Sequence, residues 1–198
     1  MKNNQHPPRH PRPESHPEAS CFRPRIPLMS LVVPHHPILF LDIDGPLLTF
    51  GGPPGNDAPV AQDGANPLVT RVDPALGPLL SALPCELVWA TTWTHEANRV
   101  VGPLLGLPDL AVVEWPEEAD EQVDEWFGLH WKTRTVVEWA AGRPFIWVDD
   151  EIRDHDREWV AAQHGSSALL YHVDPRTGLR RKDFAVFTEW VDGGFRSQ

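Results

Sequence analysis

The sequence predicts a doubly wound, Rossmann-like α/β sandwich of three layers, with a central parallel sheet between two layers of helices, on three observations. Short apolar runs alternate with stretches of helical spacing from Pro37 to Val191. Most of these runs are nearly continuous in apolar character, as strands buried on both faces of a parallel sheet must be. The composition is that of one ordinary globular domain: 198 residues, 41% apolar and 23% charged.

Residues 38–43 (ILFLDI), 86–90 (ELVWA), 110–114 (LAVVE), 145–148 (FIWV) and 168–172 (ALLYH) read as strands. Between them, residues 74–83, 95–105, 132–141 and 154–164 carry helical spacing, and 183–191 closes the fold. Thr94 is placed to cap the second helix, and Gly142 followed by Arg143 and Pro144 to stop the third. Trp89, Trp139 and Trp147 lie within these elements and are expected in the core.

The first 36 residues are set apart. They hold eight of the 22 prolines, five of the ten histidines and a net charge of +3, so the rest of the −11 chain carries −14. Without an apolar face and with many backbone donors removed, residues 1–36 are expected to be a disordered tail, and 37–198 the folded domain. The histidines there have no fixed ligand spacing. Met29, just ahead of the folded part, is the expected start. The apolar run after residue 26 is broken by Pro27, Pro34 and Pro37, so it is neither a signal-peptide core nor a membrane span. With 17 basic against 28 acidic residues, non-specific attraction to nucleic acid or anionic lipid is not expected. Two cysteines, Cys21 and Cys85, form neither a disulfide framework nor a zinc motif, and a reducing cytoplasm is the expected compartment.

Ligands bind such sheets at the carboxyl ends of the strands, so polar residues there come first. The first strand runs into Asp42 and Asp44 with Gly45 between them and the next turn, the second into Thr91 and Thr92, and the fourth into Asp149 and Asp150. Neighbouring tips would crowd four carboxylates together, which costs several kcal/mol or raises their pKa values unless a cation compensates. Oxygen donors with no Cys or His among them suit Mg²⁺ rather than zinc. Alternate residues of an extended strand share a face, so Asp42 and Asp44 are able to address one ligand. One carboxylate can then attack an electrophile while the other moves the proton of the leaving group. For a phosphoryl group, the Thr91 hydroxyl and the Lys132 ammonium would neutralise the oxygens.

LDIDG, VWATT, Lys132 ahead of the fourth strand and FIWVDDEIRD appear in the order of the four motifs of the haloacid dehalogenase superfamily, which residues 37–191 resemble. The resemblance implies a phosphatase in which Asp42 is the nucleophile that forms an aspartyl-phosphate. Asp44 resembles the general acid/base, which also offers its carbonyl to Mg²⁺. Thr91, Thr92 and Lys132 correspond to phosphate ligands, Asp149 and Asp150 to the acidic metal pair with Asp150 the direct ligand, and Asp154 to an outer acid. The name-giving dehalogenases lack the second aspartate of the DxD pair, so Asp44 points to phosphoryl transfer. Pro46 departs from the pattern, since its missing N–H removes a possible backbone contact. Only 48 residues separate Asp42 from Thr91, too few for a large cap, so a capless member is expected with residues 51–67 as its flap.

An open site leaves selectivity to loops or to the substrate itself. Trp93, Trp126 and Trp131 flank the motifs and are candidates for the rim, while the acidic run 114–125 reads as solvated surface. The expected partner is a small phosphorylated substrate, such as a nucleotide or sugar phosphate, with no nucleic acid and no membrane, and a homodimer is compatible with the abundant tryptophan. A receiver domain carries its acidic pair after the first strand and its Lys after the last, the reverse of the order here. A phosphate-binding GxxxxGK[ST] loop is absent. The alternative class is a non-catalytic member of the same fold that serves as a binding or regulatory module.

Overall fold

The computed structural model describes residues 36–50, 67–116, 128–164 and 167–195. The expected tail apart from His36, the start at Met29, nearly all of the 51–67 flap, the greater part of the acidic run and Trp126 lie outside the described residues.

Five strands, β1 (Ile38–Leu41), β2 (Glu86–Trp89), β3 (Ala111–Val112), β4 (Phe145–Asp149) and β5 (Ala168–His172), form one parallel sheet in the order β3-β2-β1-β4-β5. Among the described residues, five α-helices connect and close it: α1 (Leu76–Ala82), α2 (Glu96–Leu105), α3 (Thr133–Ala140), α4 (Asp154–Gln163) and α5 (Asp183–Asp192). Every residue of β1 is buried because alternate side chains feed two different cores. Leu39 and Leu41 join Ile146 and Val148 beneath α1, α2 and α5, through Leu80, Val101 and Phe187 among others. Ile38 and Phe40 join Phe145 and Trp147 beneath α3 and α4, through Val136 and Val160. The helices change face where the strand order reverses, between β1 and β4, as right-handed crossovers require. That reversal opens the crevice in which ligands of such sheets bind.

Core tryptophans behave as the sequence predicts: Trp89 and Trp147 are fully buried, and Trp139 packs edge-on against Phe40. Three local expectations fail. Thr94 does not cap α2 with its side chain; it adopts a left-handed φ of 47°, and only its carbonyl meets the helix, at Ala97 N 3.2 Å away. The chain there is wound around Thr91, whose carbonyl takes the Thr94 N–H at 3.3 Å, so the turn serves the strand tip before the helix. α3 ends at Ala140, two positions before Gly142, because Ala141 itself takes the left-handed conformation at φ 49°. β3 is two residues long rather than five, since an edge strand has one neighbour and β2 offers it only Val88 and Trp89. A 3₁₀ turn at Pro67–Arg71 was not foreseen. No described helix is long and apolar enough to cross a membrane.

Candidate active site

The register of the sheet sets the site. Leu41 pairs with Trp89 on one side and Val148 on the other, so Asp42 follows β1 level with Ala90 and Asp149. Backbone bonds continue past the strand, with Asp42 N on Val148 O at 3.0 Å and Ala90 N on Leu41 O at 2.9 Å. Asp42 is therefore held between a hydroxyl-bearing turn and an acidic strand end.

Lys132, at the start of α3, is 3% exposed and places its Nζ 2.9 Å from Asp42 Oδ2 and 2.8 Å from Asp149 Oδ2. The ammonium also lies 5.5 Å from the Trp131 ring and 5.9 Å from that of Trp115, which meet edge to face. Burial raises the Asp42 carboxyl to about 7, with Asp149 adding to the rise and Lys132 opposing it. For Lys132, burial works against the charge, yet Asp42 and Asp149 outweigh it and the pKa is raised. The lysine is thus a fixed cation between two carboxylates.

Asp150 completes the acidic group. One carboxylate oxygen from each of Asp42, Asp149 and Asp150 falls within 4.8 Å of the others. Burial, followed by the charge of Asp149, raises Asp150 to about 6. Gly45, at φ 83°, makes room for it: a Cβ there would stand 2.3 Å from Asp150 Cγ. The hard oxygen donors and the raised acids fit a divalent cation.

Asp44 lies beside this group, with its Oδ2 accepting the Trp93 indole N–H at 3.0 Å. Gly45 N bonds Leu48 O at 2.9 Å, which folds the loop after β1 back on itself despite Pro46. Thr91 is buried, and its hydroxyl accepts the Trp93 N–H at 3.4 Å. The Trp115 indole ties the Thr91 carbonyl at 3.0 Å. Thr92, by contrast, is exposed.

Asp154 is exposed in the first turn of α4, and the buried acid of that turn is Asp156. Its carboxylate accepts from His130 N at 2.8 Å, Thr133 Oγ1 at 2.5 Å and Arg153 N at 2.8 Å. It thereby fixes the start of α3, and with it Lys132. His130 Nδ1 accepts the Lys132 N–H at 3.3 Å, which leaves Nε2 to donate to Glu151 at 2.8 Å. Sequence reasoning missed Asp156, His130 and Glu151. An acid at the third position of a helix, free to reach back to the residue before it, was the available signal for Asp156.

A five-stranded parallel α/β sheet with acids at the tips of its two central strands defines a hydrolase-type domain of the haloacid dehalogenase (HAD) superfamily. A family model described as "HAD domain in Swiss Army Knife RNA repair proteins" matches residues 38–184, and the chain belongs to that family. No curated protein and no solved structure matches the chain.

Proposed function

We propose that the protein is a Mg²⁺-dependent phosphoric monoester hydrolase working through an aspartyl-phosphate on Asp42. The observation that carries this reading is the buried Asp42–Lys132–Asp149 bridge with Asp150 beside it at the sheet's reversal point. Asp42 attacks phosphorus as the bond to the ester oxygen breaks, and Asp44 gives that oxygen its proton. Asp44 next takes a proton from water, whose oxygen displaces Asp42 and releases phosphate. The Trp93 indole N–H orients the Asp44 carboxylate. The Thr91 hydroxyl and Lys132 hold the phosphoryl oxygens, with exposed Thr92 at the periphery.

Asp42, Asp149 and Asp150, with the carbonyl of Asp44, would hold Mg²⁺. When bound, the ion neutralises charge that builds on the phosphoryl oxygens. Asp150 is the better direct ligand, because Asp149 already commits Oδ2 to Lys132 and Oδ1 to the Glu151 N–H at 2.9 Å.

A phosphorylated nucleotide is the substrate class we favour, extended to the phosphorylated end of an RNA by the description of the family as a domain of RNA repair proteins. Purified protein should release phosphate from an aryl phosphate with Mg²⁺, and lose that activity in chelator and in Asp42→Asn. Undiminished turnover by folded Asp42→Asn would refute the reading.

A further inference from the structure

A second cavity adjoins the nucleophile loop and carries charge opposite to that of the chain. Four basic residues, Arg176, Arg180, Arg181 and Lys182, fall within seven positions of a chain whose net charge is −11. Arg180 and Arg181, both exposed, line a cavity of about 360 Å³ together with Arg71, which arrives from the other side. Arg71 is anchored there by its bond to the Thr49 carbonyl at 2.8 Å. Among the described residues, neither Arg180 nor Arg181 has an ion pair. Asp73 is the one acid of the lining, and it already accepts the Ala75 N–H at 2.9 Å. The remaining wall mixes the hydroxyl-bearing Thr49 and Thr177 with apolar side chains, among them Leu79 and the edges of Leu47, Leu76 and Leu179.

The loop that carries the arginines is fastened to the catalytic loop. Leu179 N bonds Pro46 O at 2.8 Å, and Phe50 N bonds Pro175 O at 2.7 Å. Gly178, at φ 62°, passes so close that a Cβ would meet Thr49 Cγ2 at 2.8 Å and Pro46 O at 2.9 Å. Pro46, in the cavity wall, is four residues from Asp42, a reach of at most ~15 Å along the chain. Uncommitted guanidiniums converging on one cavity match a ligand that repeats an anionic group along its length, as a nucleotide chain does. The volume lies in the range of small-ligand sites.

We propose that this cavity binds the internal phosphates of a single-stranded oligonucleotide whose phosphorylated end occupies the active site. The proposal rests on the phosphatase reading above and gives its substrate a polymer chain. It also resolves how an acidic protein would hold RNA, since attraction is confined to one basic cavity beside the reacting centre.

The test is fluorescence anisotropy of a labelled, terminally phosphorylated oligoribonucleotide with the full chain, in chelator, from ~50 to ~200 mM salt. Three phosphate contacts predict a slope of log affinity against log salt of about −2. Arg180→Ala/Arg181→Ala should bind at least tenfold more weakly at low salt and reduce that slope by about 1.4. Arg180→Lys/Arg181→Lys, which keeps the charge, should retain the slope. No binding by the wild type, equal binding by the alanine variant, or weaker binding with an unchanged slope would each overturn the proposal. Aryl phosphate turnover judges the phosphatase reading separately. Turnover without oligonucleotide binding defeats the cavity alone, whereas arginine-dependent binding without turnover upholds the cavity and defeats the phosphatase.

Discussion

Replacing Lys132 by Met removes the one cation that two buried carboxylates share, and the cost follows from their surroundings. The side chains of Asp42 and Asp149 are 7% and 0% exposed, so water cannot substitute for the lost ammonium. Breaking a buried pair by deleting one partner costs ~3–5 kcal/mol, a large share of a typical domain's ~5–15 kcal/mol. The exposed Glu96–Arg99 pair is the natural control, because a screened surface pair contributes little. The loss should depend on pH with a definite sign. Asp42 is raised to about 7 with Lys132 present, and losing the lysine, which opposes that rise, moves it higher. A protonated carboxyl needs no counter-charge, so the penalty should be largest above pH 7 and shrink as the pH falls through 7 toward 5. Urea unfolding of both proteins in chelator, at the two ends of that range, measures it. A loss below ~1 kcal/mol, or one that is equal at both pH values, would refute the account of Lys132 as a buried counter-charge.

Trp93→Phe keeps the ring but removes the donor to Asp44; a hydrogen bond to a charged group is worth ~1.5–3 kcal/mol, so kcat should fall about 10- to 100-fold with little change in KM. A kcat within twofold of the wild type would refute that orienting role. Asp156→Ala strands three donors and should lower stability by about 3 kcal/mol or more in urea titration, with unchanged stability the contrary result. In the proposed site, Mg²⁺ would displace protons from Asp42, at about 7, and Asp150, at about 6, so its affinity should weaken as the pH falls through that interval. Calorimetry in buffers of different ionisation heat would register the released protons, and a pH-independent affinity would contradict the acids as ligands.

The parts of the fold legible in the sequence are those in which burial acts on both faces of an element. FIWV and ILFL are apolar throughout because each alternates between two cores, and helices of ordinary length left room for little else. Legibility failed where a single contact decides the outcome. β3 is short because of what β2 offers it, and the left-handed Thr94 and Ala141 have no local signal in residues that ordinarily avoid that region. In the site, Asp42, Asp149 and Asp150 could be read because each stands at the carboxyl end of an apolar run legible as a strand, and Lys132 because it opens the helical stretch ahead of the fourth strand. Asp156 could not be told from Asp154 in that way. They differ by two positions in a helical turn, which sends one into solvent and the other beneath α3.

The central place of β1 also has a consequence for how the chain is made. Its neighbours are encoded far apart: β2 begins at Glu86, whereas β4 begins only at Phe145. During synthesis at ~5–20 residues per second, the segment through Val113 can pair β2 with both β1 and β3 seconds before β4 emerges. For that interval, β1 is an open edge, and until Lys132 emerges Asp42 stands at its end without that counter-charge. A nascent or truncated chain that stops before Lys132 therefore presents an apolar strand able to pair with other chains, and an Asp42 that lacks both the Lys132 counter-charge and the neighbouring Asp149 and Asp150.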